Sequence, residues 1–83
     1  MRLCYFARVR EELGLDHETL PLPQGIVRVD LLVAHLIALR GSLWAETLRA
    51  DRILVAVNQQ VAAFDSVICD NDEVAFFPPM TGG

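Results

Sequence analysis

The chain has 83 residues, 53% of them apolar and 22% charged, which describes one small globular domain and excludes both a disordered segment and a second domain. No apolar run approaches the ~20 residues that span a bilayer, and a net charge of −4 argues against a nucleic-acid binder and leaves a protein partner. All seven basic residues are arginines, so the chain offers no lysine amine for an isopeptide bond with another copy.

Residues 2–7 are a short apolar run with aromatic character that predicts a buried strand, with Leu3 and Tyr5 on one face and Cys4 and Phe6 on the other. The Arg- and Glu-rich stretch that follows is unlike a signal peptide, so the cytoplasm is the expected compartment. Thiols stay reduced there, and Cys4 and Cys69 are expected to be small packing residues. Residues 8–14 suit one helical turn closed by Gly14, and residues 18–22 a weaker strand before Pro23-Gln24-Gly25.

Over residues 29–39 the apolar side chains Val29, Leu32, Val33, Leu36 and Leu39 fall on one helical stripe able to cover a sheet. Arg40 and Gly41 suit its last turn and C′ position. Arg28 is a poor N-cap, and Asp30 can cap only a helix that starts one residue later. Residues 43–49 predict a second short helix, with Trp44 in a packing role.

Residues 53–57 are a continuous β-branched run and the clearest strand, followed by an Asn58-Gln59-Gln60 turn and a short strand over 61–63. Asp70-Asn71-Asp72 is a further turn in which Asn71 suits the left-handed conformation. The last strand, 73–77, sends Val74 and Phe76 to one face and Ala75 and Phe77 to the other. Pro78 and Pro79 end its ladder because neither donates a backbone hydrogen bond. This order describes an α+β domain, one mixed sheet on one main helix, and suits a β-grasp. With the helix over Val74 and Phe76, Phe77 is exposed. It can then join Phe6 and Val61 in an apolar docking patch.

Neither the two cysteines nor His17 and His35 show metal-ligand spacing or a catalytic signature, so no metal is expected. The chemistry points instead to the end of the chain, Met80-Thr81-Gly82-Gly83, which reaches at most about 13–14 Å beyond Pro79. Gly82 and Gly83 have no Cβ, so backbone and carboxylate can pass a channel too narrow for side chains. A carboxylate is a poor electrophile and is ordinarily activated by ATP as an acyl-adenylate. The chain has no P-loop or other phosphate-cradling glycine run, so a separate activating enzyme is implied, and the chain by itself binds no cofactor.

Three segments resemble the small, sulfur-carrying subunit family of molybdopterin synthase, a ubiquitin-like β-grasp family. They are residues 4–11, residues 55–59, and above all residues 70–83, which run Asp-Asn-Asp-Glu-Val-Ala-Phe-Phe-Pro-Pro-Met-Thr-Gly-Gly. Asn71 stands in place of a usual turn glycine, and Arg28 where a capping Ser or Thr is common. The resemblance implies that Gly83 is adenylated by an ATP-dependent activating enzyme and converted to a thiocarboxylate with sulfur from a donor protein. It further implies that residues 80–83 act as a flexible tail that enters the large subunit of a heterotetrameric synthase and gives sulfur to cyclic pyranopterin monophosphate. Gly83 then carries the reactive group and Gly82 provides clearance. Phe6, Val61, Phe77, Pro78, Pro79, Met80 and Thr81 contact the partner, and neither nucleic acid nor membrane is involved. A thiamine-type sulfur carrier, a ubiquitin-like protein modifier and a non-catalytic interaction module are the alternative readings.

Overall fold

The computed structural model describes residues 1–79. Its elements are β1 (Arg2–Tyr5), α1 (Ala7–Leu13), β2 (His17–Thr19), α2 (Val29–Arg40), α3 (Ser42–Leu48), β3 (Leu54–Val57), β4 (Gln60–Ala62) and β5 (Glu73–Phe77). They build a five-stranded sheet in the order β2-β1-β5-β3-β4. The central pair β1 and β5 is parallel, and the other pairs are antiparallel. This is the mixed sheet and α+β architecture of a ubiquitin-like β-grasp, as expected. Among the described residues, no helix is long and apolar enough to cross a membrane.

Strand alternation divides the sheet as the sequence predicts. Leu3 and Tyr5 of β1, Val55 of β3, and Val74 and Phe76 of β5 point into the core. There they meet Val9 of α1, Val29, Leu32, Val33 and Leu36 of α2, and Trp44 and Leu48 of α3. The expected single turn over 8–14 is a seven-residue helix, stopped where Gly14 takes φ 69° and donates its N–H to the Arg10 carbonyl at 2.9 Å. The second strand is shorter than the expected 18–22 and begins at His17.

Leu39 does not join the buried stripe of α2; it is 63% exposed. At about 100° per residue, Leu39 lies roughly 70° from the centre of the stripe made by the other four, whereas Arg40 lies about 30° from it. Arg40 therefore occupies the covered face in the last turn. Its Nη1 and Nη2 donate to the two carboxylate oxygens of Glu18 on β2 at 2.6 and 2.7 Å, and its guanidinium carbon lies 4.5 Å from the Trp44 ring centroid. Glu18 also accepts the Tyr5 hydroxyl at 2.7 Å. Tyr5 meets Trp44 edge-on at 5.5 Å and stacks on Phe76 at 6.1 Å. Trp44 is thus a packing residue. The Arg40 hydrogen bonds hold the Glu18 carboxyl below its ordinary range even though burial opposes them, and burial first, then the Glu18 contact, pushes the Tyr5 phenol upward.

The helix α2 starts at Val29 with Arg28 at the N-cap position and no side-chain cap. Tertiary carbonyls take that role instead: Val29 N–H donates to Ser66 at 3.1 Å and Asp30 N–H to Phe64 at 2.7 Å. Leu31 N–H is satisfied by Asp30 Oδ1 at 2.9 Å, so the first three free donors of the helix are all used. A borrowed cap explains why a poor capping residue is tolerated.

The turn between β3 and β4 is tighter than the three residues expected. Gln60 already pairs with Val57, leaving Asn58 and Gln59 at φ 52° and 67°, the left-handed pair of a two-residue hairpin. Asn58 Nδ2 donates to Asp72 Oδ1, and its Oδ1 accepts Glu73 N–H, both at 3.0 Å. Asn71, expected to be left-handed, is not among the positive-φ residues. Asp72 closes that turn instead, donating N–H to the Cys69 carbonyl at 3.0 Å and accepting Cys69 N–H at 2.8 Å.

Replacing Arg40 with Met strands a carboxylate whose side chain is only 13% exposed, and urea unfolding at neutral pH should show a loss of about 1–3 kcal/mol. Because the Glu18 carboxyl is depressed in the folded chain, its contribution is complete above its ordinary value of 4.5 and is lost as pH falls through the folded-state value. Stability of Glu18→Gln should therefore fall less steeply over that acid interval than stability of the parent.

Candidate functional site

The helices leave one face of the sheet open. Register places Arg2 and Cys4 of β1, Glu73, Ala75 and Phe77 of β5, Leu54 and Ala56 of β3, and Val61 of β4 on that face. Its centre is made of small side chains: Cys4, Ala56 and Ala75 form a separate buried cluster against which Phe77 packs. Small residues in the middle and larger ones around them produce a shallow depression of ≈ 440 Å³, lined by Phe6, Phe77, Arg10 and His17 among others. Such a surface accepts a partner's apolar side chains.

The three expected docking residues come to this face together. Phe6 is 50% exposed and Val61 74% exposed. Phe6 N–H donates to the Phe76 carbonyl at 3.1 Å, extending the β1–β5 ladder one step and seating Phe6 beside the end of β5. Val61 opposes Ala56, which in turn opposes Ala75, so the patch runs across three strands. Phe77 differs from expectation. It is half-buried rather than exposed, because the small floor side chains let its ring lean onto the sheet.

Leu54 joins the patch without having been singled out by its sequence pattern. It pairs with Phe77 across β3 and β5 and is 37% exposed, adding a fourth apolar side chain. A signal existed, since alternation through the run Ile53-Leu54-Val55-Ala56-Val57 must put Leu54 on the face opposite Val55.

The rim of the depression carries charge. Arg2 Nε lies 3.5 Å from Glu73, and His17 Nδ1 lies 3.1 Å from Asp16. Cys4 is buried and Cys69 exposed, and both are free thiols. Among the described residues, no group of three metal-ligating side chains comes together. Pro78 and Pro79, both half-buried, leave the end of β5 beside the start of α1 and the turn at residues 51–52. The proposed reactive residues Gly82 and Gly83, and the proposed contacts Met80 and Thr81, lie outside the described residues.

The model of the ThiS family matches residues 3–83 of the chain. A molybdopterin synthase sulfur carrier subunit of Escherichia coli is 40% identical over 83 residues, which cover 100% of this chain and 99% of the relative. A solved Pyrococcus furiosus protein, a candidate molybdopterin converting factor subunit 1, is 28% identical with a TM-score of 0.71 over 95% of each chain. SAMP1 from Haloferax volcanii is 25% identical with a TM-score of 0.72, covering 100% of this chain and 98% of that one.

Side chains on the uncovered face of the sheet should contribute little to folding. Val61→Ser should leave the unfolding free energy within about 0.5 kcal/mol of the parent, whereas Leu3→Ala on the covered face should cost about 2–5 kcal/mol. Urea titration of both variants checks the contrast.

Proposed function

The chain belongs to the ThiS family, and from that premise we propose that it is the sulfur carrier subunit of a molybdopterin synthase, with the Gly83 carboxylate as the sulfur-bearing group. The observation that carries this reading is similarity along the whole chain, its Gly-Gly end included, to a relative of that name. The geometry supports it, because the apolar face and the root of the tail meet at the end of β5.

Energetics explain why the two features belong together. Ordering four tail residues costs about 1–2 kcal/mol each, and a fully desolvated Val, Leu or Phe side chain returns about 1.5–3 kcal/mol. Three or four such anchors are therefore needed to offset insertion of the tail. Phe6, Leu54 and Val61 are 50%, 37% and 74% exposed and Phe77 is half-buried, so burying what remains of these four returns about 3–6 kcal/mol and offsets most of that cost.

In the proposed cycle a Gly83 carboxylate oxygen attacks the α-phosphorus of ATP on an activating enzyme, and pyrophosphate leaves. Sulfur delivered by a donor protein then attacks the acyl carbon and AMP leaves; sulfur supplied at the level of sulfide gives the thiocarboxylate directly, and sulfur supplied as a persulfide gives it once a thiol reductant cleaves the S–S bond. The loaded chain docks on the large subunit through its open face, Pro78-Pro79 stiffen the root of the tail, and Gly82 lets the terminus pass. The thiocarboxylate sulfur bonds to a carbon of the pterin precursor as an oxygen substituent leaves that carbon, and water then attacks the carbonyl carbon of the resulting Gly83 thioester, so that the sulfur departs on the pterin as a thiolate and the carboxylate is restored. The product of the proposed reaction, molybdopterin, carries its two sulfurs as a dithiolene, so each product molecule consumes two loaded chains. ATP is bound and used by the activating enzyme, and the cycle is assigned to the cytoplasm.

Intact mass of the chain purified from its native cell should show one oxygen-to-sulfur exchange located on Gly83; a free carboxylate alone, with the activating enzyme present, counts against the mechanism. Deleting Gly83 should abolish sulfur transfer without changing the thermal unfolding midpoint. Phe77→Asp puts a charge where the aromatic anchor sits and should weaken binding of the large subunit by at least about tenfold. Unchanged affinity in a calorimetric titration removes Phe77 from the interface.

A further inference from the structure

We propose that Arg8 and Arg52 form a cationic collar at the root of the tail, and that this collar recognises carboxylate side chains around the mouth of the channel in the large subunit that receives the tail. The inference rests on the tail-insertion reading above and adds the chemistry of the partner's rim.

Three observations carry it. Pro78 and Pro79 border a concavity of ≈ 370 Å³ whose other walls are Ala7, Arg8, Asp51 and Arg52. Four residues beyond Pro79 reach at most about 13–14 Å, so a protein that encloses Gly83 has its channel mouth within that distance of this concavity, and one that encloses the whole tail as far as Pro79 meets the concavity directly.

The charges at that place are also available. Arg40 and Arg28 are engaged by Glu18 and Asp30 through paired hydrogen bonds, and Arg2 lies beside Glu73. Arg8 has only a 4.0 Å approach to Glu12 one helical turn away, with both side chains largely exposed. Arg52 has no ion-pair partner among the described residues. Asp51 is the one acidic residue in the lining, so the local balance is two positive charges to one negative in a chain whose net charge is −4. A positive spot on an acidic protein orients it toward an acidic patch.

The backbone is unusual at the same place. Ala7 and Arg52 have φ 52° and 70°, and the other two non-glycine residues with positive φ among the described residues, Asn58 and Gln59, are accounted for by their hairpin turn. Ala7, where β1 gives way to α1, and Arg52, in the turn at residues 51–52, border the tail root, and the left-handed backbone there sets the directions in which Arg52 and the adjoining Arg8 leave the chain. The concavity is shallow and open and lies up to four residues from Gly83, so acidic side chains of a protein rim fit it better than a nucleotide bound at the terminus.

The test is titration of the full chain against the cognate large subunit at about 0.05 M and about 0.5 M salt. The double variant Arg8→Glu, Arg52→Glu should raise Kd by about tenfold or more at low salt, mainly through slower association, and the gap should close at high salt. Asp51→Asn should tighten binding. An unchanged Kd in the double variant, or a loss equal at both salt concentrations, overturns the collar. Should the charge-reversed chain fail to fold, Arg8→Gln with Arg52→Asn removes both charges, keeps a residue tolerant of left-handed φ at position 52, and is read by the same salt dependence. Deletion of Gly83 reports separately on the sulfur-carrier reading, since it removes the reactive group and leaves both arginines in place.

Discussion

The parallel pairing of β1 with β5 is the constraint from which the rest of the molecule follows. It brings the first and last strands together at the centre of the sheet, in the register Arg2 to Glu73 through Tyr5 to Phe76. A parallel pair requires a long crossover, and here the crossover consists of β2, the three helices and the β3–β4 hairpin. Because both strands run the same way, the chain leaving β5 emerges beside the start of α1. That places Phe6 next to Phe77 and the root of the tail next to Arg8.

Side-chain size then divides the work between the two faces. The covered face uses Leu3, Tyr5, Val55, Val74 and Phe76, large residues that meet three helices. The open face uses Cys4, Ala56 and Ala75, which are small enough to leave a depression and to let Phe77 lie back against the sheet. Tyr5, Glu18, Arg40 and Trp44 hold the covered side together at the β2 edge, joining β1, β2, α2 and α3 through charged hydrogen bonds and ring contacts. A domain of this size has a single modest core, so a short three-residue edge strand such as β2 benefits from such a tie.

The proposed chemistry suits a chain built in this way. A carrier must be held firmly enough to order its terminus and released when its cargo is delivered. An interface of a few apolar side chains set against the entropy of four tail residues gives that intermediate strength. In the proposed cycle the strands position Phe6, Leu54, Val61 and Phe77 for docking, and Pro78 and Pro79 stiffen the root of the tail.

The sequence by itself located the elements that depend on local periodicity: the strands expected over 2–7, 53–57 and 73–77 and found over 2–5, 54–57 and 73–77, four of the five residues of the α2 stripe, the parity of Cys4, Phe6, Ala75 and Phe77, and the Gly-Gly ending. Alternation and the 3.6-residue repeat act between near neighbours and can be read without knowing what lies opposite. The tertiary structure decided what depends on partners far along the chain. Arg40 displaces Leu39 from the covered face because Glu18 and Trp44 wait there. Carbonyls of Phe64 and Ser66 cap a helix that Arg28 cannot. Asn58 donates from the β3–β4 turn to the Asp72 carboxylate, which closes a turn expected to rely on Asn71. Phe77 is half-buried because its neighbours across the sheet happen to be small, and Leu54 is exposed because it stands beside Phe77 on the face the helices never reach. The first three depend on hydrogen-bonding partners that only the folded chain brings within reach, and the last two on register and side-chain volume across the sheet; the pattern along one segment contains neither.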